Sequence, residues 1–316
     1  MKTVKLTWII AHEPAYLFHR VAADFKRIVN ERSKTVNIDI EILSAEEYNE
    51  KYSPTEDASR HNLWKFLQNN SVQIAQMQTT SLAKQFNKQM HVLDMPFIFD
   101  DHNHAAEVLE GDIGTFLLNN FDKSSNLKGL AYTYSGGFRL LPVNKSVTSL
   151  GELMGATIRS GMSEIAQDTM KAFGFIPVPT EIDEVSTVIK SGEAIGAEHV
   201  AQRLLPDQCD DWIKTIIDTQ HSLFLTSIVV NNDWWNSLDQ EVQEIFMHAA
   251  RESAKNERAL SLFDGEKSVN KLVDNGVKLI NLSTEEMNSL KEMTKPVYNK
   301  YESSLSFINQ IRTNKE

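Results

Sequence analysis

The 316-residue sequence contains a single cysteine, Cys209, so no intrachain disulfide can form. It also lacks a CxxC pair, the Cys and His spacing of a zinc site and an HExxH motif. We therefore expect no metal and no cofactor. Long apolar runs are missing as well. The longest are strand-sized, such as residues 223–230, and none approaches the ~20 residues that a membrane-spanning helix needs.

Positive charge is in short supply. Lys and Arg number 32 against 43 Asp and Glu, which gives a net charge of −11. Proteins that bind nucleic acid need clustered Lys and Arg to neutralise phosphates, so we exclude nucleic acid as the main partner. Hydrophobic residues make up 41% and charged residues 24% of the chain, which is ordinary for a soluble globular protein.

The N-terminus shows no signal peptide. Residues 1–10 run directly into a strand pattern, without an uninterrupted apolar region or a small-residue cleavage site. Met1 is either native or replaces a leader that has been removed, and the sequence alone leaves both open.

Hydrophobic periodicity predicts an α/β fold. Strand patterns at 4–10, 36–43 and 72–78 alternate with a helix after Pro14 and another near 58–69. This β-α-β-α-β order is typical of a parallel sheet covered by helices. The apolar stripe of the first helix consists of Phe18, Val21, Ala22, Phe25, Ile28 and Val29.

The middle of the chain predicts a second βαβαβ set, flanked by long strands at 128–144 and 214–230. Its short strands and helices are expected at 155–161, 162–173, 175–179, 183–191 and 193–200. The first flanking run is expected to be two strands joined around Ser135–Gly137, and residues 213–232 are expected to supply two more. Ser237 with Gln240, and Ser283 with Glu286, are capping-box signatures of C-terminal helices.

We predict two lobes with a ligand cleft between them, joined by the long strands as crossings. The first lobe is expected mainly in 1–132 with a return near 218–260, and the second mainly in 133–217. The segment 237–316 is expected to supply long helices that pack on both lobes.

Two arginines in predicted strands are the most informative polar residues. A charged side chain on an apolar strand is costly unless it is paired. For Arg139 a structural salt bridge and a ligand contact are equally good interpretations. Arg159 ends a strand, where open α/β sheets bind their ligands, and its guanidinium matches a carboxylate bidentately, so ligand binding is favoured. Glu198 and His199 end another strand, where either a ligand role or a turn role fits.

The remaining candidates are weaker. Trp212 lies near a strand end and is a candidate for stacking on a ligand. Gln78, Glu13 and Phe224 complete the predicted ligand-binding set. Enzyme signatures such as GxSxG, a Walker loop or GxGxxG after a strand are absent.

Several segments, in order along nearly the whole chain, resemble the substrate-binding proteins of tripartite ATP-independent periplasmic (TRAP) transporters. The similar segments are 92–114 (VLDMPFIFDDHNHAAEVLEGDIG), 136–144 (GGFRLLPVN), 150–161 (LGELMGATIRSG), 173–200 (FGFIPVPTEIDEVSTVIKSGEAIGAEHV) and 221–246 (HSLFLTSIVVNNDWWNSLDQEVQEIF). Each segment is weakly specific alone, and together at matching spacings they are specific.

The resemblance implies a periplasmic-binding-protein-like fold, with an organic acid anion held in the cleft and delivered to the small and large membrane permease subunits. It places the carboxylate-gripping arginine at Arg159 and a second anion contact at Arg139. The chain departs from the family at His199, where Asn is common, at Ile182, where an aromatic residue is common, and at 195–199 (IGAEH). These departures put the identity of the acid in doubt.

The resemblance also implies a monomer outside the inner membrane, with its leader removed. Two alternatives stay open. The same receptor could serve a sensor protein instead of a permease, or the chain could be an enzyme that acts on a carboxylate with His199 and Glu198 as acid and base.

Overall fold

The computed structural model describes residues 3–313. Met1, on which the interpretation of the leader depends, lies outside the described residues. The strands are β1 (Thr3–Ile10), β2 (Asn37–Ser44), β3 (Ile74–Gln78), β4 (Leu127–Val143), β5 (Thr157–Ser160), β6 (Ile176–Pro179), β7 (Gly196–Ala197), β8 (His199–Val200), β9 (Thr215–Asp218), β10 (Leu223–Asn231) and β11 (Lys278–Asn281). The helices are α1 (Ala15–Arg32), α2 (Ala45–Tyr52), α3 (Leu63–Gln68), α4 (Thr79–Phe86), α5 (His102–Glu110), α6 (Asp112–Asn119), α7 (Glu164–Ala172), α8 (Val185–Lys190), α9 (Asn232–Asn236), α10 (Gln240–Asp274), α11 (Thr284–Met293), α12 (Lys295–Tyr301) and α13 (Ile308–Thr313).

The chain divides into two compact units. The first unit contains the chain through Lys88, together with Glu107–Tyr134 and Leu225–Ala259. The second unit contains Gln89–Ala106, Ser135–Phe224 and the chain from Leu260 onward. Strands β4 and β10 each begin in one unit and end in the other, and helix α10 does the same.

The sheet of the first unit has the strand order β2-β1-β3-β10-β4. Strand β1 pairs in parallel with β2 and β3, as the β-α-β-α-β pattern predicts, and β10 pairs antiparallel with β3. The predicted stripe of α1 is confirmed, because all six of its apolar residues are buried. This stripe packs with the sheet in one core that also contains Trp8 and Phe246.

The sheet of the second unit follows the order β4-β7-β5-β6 and supports the charged residues described below. Strand β5 pairs in parallel with β6 and with β7, while β7 pairs antiparallel with β4. Gly196 makes this approach possible, since a Cβ there would lie 2.5 Å from Val143 Cγ1 and 2.8 Å from the Pro142 carbonyl oxygen. Every other residue type would push β7 away from β4.

Two sequence-based expectations for local structure were wrong, and a third was confirmed. Residues 127–143 form one strand instead of two, because Gly136 and Gly137 adopt φ angles of 116° and 76° without ending the ladder. The two strands expected in 213–232 are confirmed as β9 and β10, separated at Gln220, which has a φ of 46°. Ser237 does not cap α10. Its hydroxyl donates to the Trp234 carbonyl at 2.6 Å and closes α9 instead.

The segment 89–106 groups with the second unit, whereas the sequence-based boundary placed it in the first lobe. Two hydrogen bonds hold it there: the Phe97 N–H donates to the His221 carbonyl at 2.7 Å, and His104 Nε2 lies 2.9 Å from the Ile311 carbonyl. The second predicted capping box is confirmed at Ser283 and Glu286. In the described part of the chain, every helix is too short or too polar to cross a bilayer.

Candidate anion-binding site

Arg159 lies in β5 between two neighbouring strands, opposite Val178 of β6 and Ala197 of β7. It is only 2% exposed. Its Nε donates to Thr180 Oγ1 at 3.2 Å, its Nη1 donates to the Glu198 carbonyl at 3.3 Å, and its Nη2 donates to the Thr180 carbonyl. Burial lowers the pKa of Arg159 to about 10, although the nearby Glu198 carboxylate opposes that effect.

Arg159 has no ion-pair partner within 4.0 Å among residues 3–313. Only three of its five N–H groups donate to the protein, so one N–H remains on each terminal nitrogen. A buried guanidinium held by neutral oxygens, with two donors to spare, is poorly explained by a structural salt bridge. It is well suited to receive the two oxygens of a carboxylate.

Glu198 is the central carboxylate of the site and is 1% exposed. Its Oε1 accepts a hydrogen bond from the Gly161 N–H and lies 4.0 Å from Arg139 Nη1. Its Oε2 lies 3.2 Å from His221 Nε2, and His221 Nδ1 lies 2.8 Å from Thr219 Oγ1. Burial alone would raise the pKa of Glu198, but Arg139, His221 and Arg159 together hold it well below its usual range. Glu198 is therefore ionised at neutral pH.

Arg139 lies in β4, paired with Val200 of β8. Its guanidinium carbon lies 4.5 Å from the centre of the Phe224 ring, in a cation–π contact, and its side chain is 13% exposed. The buried Nη1 has no hydrogen-bond partner among the described residues. The Phe224 ring therefore packs against the Arg139 guanidinium. The N–H groups on Nη1 of Arg139 make no hydrogen bond within the described residues and can donate to a ligand beside Arg159.

Two cations thus share one anion. Arg139 and Arg159 both act on the carboxylate of Glu198, while the half-buried Glu181 attracts Arg159 more weakly. Glu198 is the only buried carboxylate of the second unit among the described residues, so two cations lie beside one buried anion. A buried charge without a counter-ion is costly. An anionic ligand would remove that cost.

The His199 ring is buried beside Val200 and Asp207. Its Nδ1 accepts the Val200 N–H at 2.8 Å, which assigns the ring proton to Nε2, 3.2 Å from Asp207 Oδ2. Arg203 binds the same carboxylate through two hydrogen bonds of 3.0 and 3.2 Å. His199, Asp207 and Arg203 form one polar group, within which the buried Nε2 of His199 approaches Asp207 without making a hydrogen bond. A polar ligand contact at His199 stays a prediction.

This group predicts acid sensitivity. Burial lowers the pKa of His199 below its ordinary value, although Asp207 opposes the shift. Because the unfolded chain binds this proton more readily, stability falls as the pH drops through the unfolded pKa of about 6.5 toward the folded pKa. We expect wild type to lose free energy of unfolding between about pH 7 and 5, and His199→Asn to lose clearly less.

Denaturant unfolding of both proteins from pH 8 to pH 5 measures the difference. Below about pH 4.5 both should weaken further, since the folded pKa of Glu198 lies below its unfolded value and that contribution is lost as the carboxylate protonates. Parallel pH profiles for wild type and His199→Asn would contradict the role given to His199.

The other predicted residues lie elsewhere. Trp212 is a core residue, contrary to the stacking role expected from the sequence. It is 6% exposed, and its Nε1 donates to Ser186 Oγ at 3.2 Å. Gln78 ends β3 in the first unit, where it is partly buried. Glu13 is exposed in the same unit, and its Oε2 accepts the Ala15 N–H at 2.9 Å at the start of α1. Ligand contacts at Gln78 and Glu13 stay predictions.

Sequence reasoning missed three residues that complete the site. Thr180 supplies two acceptors to Arg159, Gly161 supplies an N–H to Glu198, and His221 holds the other oxygen of Glu198. A Cβ at Gly161 would lie 3.0 Å from Glu198 Oε1, so glycine lets the two approach closely. The only local signal for His221 is a histidine immediately before an apolar strand. Within residues 3–313, no three His, Cys, Asp or Glu side chains are grouped so that they could hold a metal ion.

Comparisons with known proteins agree with the fold and with the sequence motifs. The chain is 30% identical over 195 residues to a solute-binding protein of Verminephrobacter eiseniae, covering 62% of this chain and 58% of that protein. It is 25% identical over 228 residues to the C4-dicarboxylate-binding periplasmic protein DctP of Rhodobacter capsulatus, covering 71% and 68%. The chain therefore spans about three fifths to two thirds of the length of these relatives.

Among solved structures, a TRAP periplasmic solute-binding protein from Shewanella oneidensis with bound succinate superposes with a TM-score of 0.81. The two are 20% identical, and the match covers 99% of each chain. This likeness establishes the fold, and the resemblance to TRAP substrate-binding proteins is confirmed. Since the family model "Bacterial extracellular solute-binding protein, family 7" matches residues 12–304, the chain belongs to that family.

Proposed function

We propose that this protein is an extracytoplasmic receptor that binds a small organic acid anion at Arg159 and Arg139 and delivers it to TRAP membrane permease subunits. One observation carries the proposal: Arg159 is a buried cation with two free N–H groups and no carboxylate within 4.0 Å among the described residues. A ligand carboxylate satisfies both the charge and the donors.

Glu198 and its partners give the site its preorganisation. The carboxylate accepts from Gly161 and His221 and faces Arg139, while Thr180 holds Arg159 from the other side. A guanidinium that is already oriented loses little side-chain entropy on binding, which favours affinity. Phe224 belongs to the same support, because its ring lies under Arg139.

The ligands of related proteins agree with this chemistry. The Rhodobacter capsulatus relative is described as binding C4-dicarboxylates, and the Shewanella oneidensis structure contains succinate. Both are small carboxylates, which is the class that a bidentate arginine recognises. We extend the class, not the individual acid, to this chain.

A receptor is favoured over an enzyme by the state of the two candidate catalytic groups. Glu198 is held ionised with a pKa far below neutrality, which makes it a weak general base at physiological pH. His199 is fully buried, its Nδ1 accepts the Val200 N–H, and its Nε2 lies 3.2 Å from the Asp207 carboxylate. We propose a monomeric receptor outside the inner membrane. The sensor alternative differs only in the protein that receives the loaded receptor, so uptake of labelled acid with and without this chain distinguishes the two.

The ligand class is tested by thermal unfolding in the presence of organic acids. We expect succinate, D-glucuronate, D-gluconate or a related small acid to raise the Tm, because a ligand at 100 times its Kd stabilises the folded state by about 2.7 kcal/mol. Neutral compounds of the same size, such as D-glucose and succinamide, are the controls and should leave the Tm unchanged. If no acid stabilises the protein more than its neutral counterpart, the proposal fails.

A further inference from the structure

The buried cations outside the anion site each have a carboxylate of their own. In the second unit Arg203, 2% exposed, binds Asp207. In the first unit Arg258, 8% exposed, pairs with Glu110 and donates to the Tyr132 carbonyl. No lysine is buried within residues 3–313.

A half-buried arginine of the first unit is also paired. Arg20, with a side chain 23% exposed, binds both oxygens of Glu257 at 2.5 and 2.8 Å. Lys128 is half-buried as well, and its Nζ donates to Asn119 Oδ1 at 2.8 Å and lies over the Trp235 ring. The remaining lysines and arginines of the described chain are half-buried or exposed. Such surface cations add little to the binding of a ligand carboxylate, because solvent and salt screen them.

The charge available for a ligand is therefore one. Arg139 and Arg159 share the buried Glu198, and the group of Arg203, Asp207 and neutral His199 is balanced. Glu181 is only half-buried and attracts Arg159 more weakly than Glu198 does, so solvent screens much of its charge. One ligand carboxylate neutralises the excess. A second carboxylate on the same ligand would need another buried cation without a partner. Residues 3–313 offer none.

We propose that the anion site is charge-matched to a monoanion, so that a monocarboxylic acid binds more tightly than the dicarboxylic acid of the same length. This inference rests on the proposed receptor function and goes beyond it by naming the charge class of the ligand. The physical reason is desolvation. The second carboxylate of a diacid must leave water without a compensating cation, and an uncompensated buried charge is strongly unfavourable.

Calorimetric titration of matched acid pairs tests the inference. D-Gluconate and D-glucarate differ only in the oxidation of one terminal carbon, and succinamate and succinate differ only in one amide. At pH 8, above the ordinary range of histidine, the monoanion of whichever pair binds should have a Kd lower by about 10-fold or more.

Two variants change the charge of the site without changing its size. Glu198→Gln and Asp207→Asn each remove one buried negative charge and leave a second cation unbalanced. Each should reduce the preference for the monoanion by about 10-fold or more, measured as the ratio of the two Kd values, even where both affinities fall. The ratio is the informative quantity, since damage to the fold lowers both affinities together. Glu292→Gln removes an exposed carboxylate and is the matched control, with an unchanged ratio expected.

The outcomes are distinct. If wild type binds the diacid as tightly as the monoacid or more tightly, the charge match is overturned while the anion site stands. If the ratio stays at the wild-type value in both Glu198→Gln and Asp207→Asn, the charge match is overturned as well. If neither acid of either pair binds wild type, this inference fails. Stabilisation by another acid would then leave the receptor function standing.

Discussion

Replacing Arg159 by alanine is expected to weaken binding of the acid that binds most tightly by about 30-fold or more, while the fold survives. The side chain donates only to neutral oxygens of Thr180 and Glu198, so its removal strands no protein carboxylate in an ion pair. It does remove a buried cation that has two donors to spare and no carboxylate within 4.0 Å among the described residues. Isothermal titration gives the affinity, and a melting curve on the same sample gives the stability.

Two further arginine variants sharpen this result. Arg159→Lys should also bind poorly, because an ammonium group cannot offer two parallel N–H groups to one carboxylate. Arg139→Ala should weaken binding less, since Arg139 is already engaged with Glu198 and the Phe224 ring. Arg312→Ala, which removes a guanidinium lying over Tyr298, is the control and should bind normally. A purely structural role would instead give a large loss of stability at Arg159 and Arg139, with normal affinity in the protein that still folds.

Replacing Glu198 by alanine is expected to lower the free energy of unfolding by about 3–5 kcal/mol. The carboxylate acts on both Arg139 and Arg159, and it also accepts hydrogen bonds from Gly161 and His221. Its loss leaves Arg139 and Arg159 facing each other without a counter-ion. Denaturant unfolding at pH 7 measures the effect.

The matched control for Glu198 is Glu286→Ala. That carboxylate is exposed and only closes the capping box of α11, so its loss should lower the free energy of unfolding far less than the loss of Glu198. A Glu198→Ala protein as stable as Glu286→Ala would show that the two arginines do not depend on the buried carboxylate. High concentrations of a bound acid should partly restore the stability of Glu198→Ala, because the ligand then supplies the missing negative charge.

Local structure was predictable where one physical requirement dominates. The stripe of α1 follows from apolar residues at helical spacing, and the start of α11 follows from the reciprocal hydrogen bonds of Ser283 and Glu286. The predictions failed where tertiary contacts decide. The backbone at Gly136 stays in the ladder despite a positive φ, and the Ser237 hydroxyl closes α9 instead of capping α10.

The anion site was predictable only in part. Arg139, Arg159 and Glu198 stand out because charged side chains are rare in apolar strands. Their arrangement around one carboxylate was not predictable, because it depends on the pairing of β5 with β7 and on the close approach that Gly196 permits. His221 follows the break at Gln220 and reaches Glu198, and no motif in the sequence links these two distant residues.

The most direct test of the account is a crystal structure of the protein with the acid that binds it most tightly. The account predicts that both oxygens of one ligand carboxylate lie about 2.8 Å from the terminal nitrogens of Arg159, with Arg139 contacting the same carboxylate. It would be contradicted by an acid whose carboxylates bind elsewhere, while Arg159 keeps only its hydrogen bonds to Thr180 and Glu198.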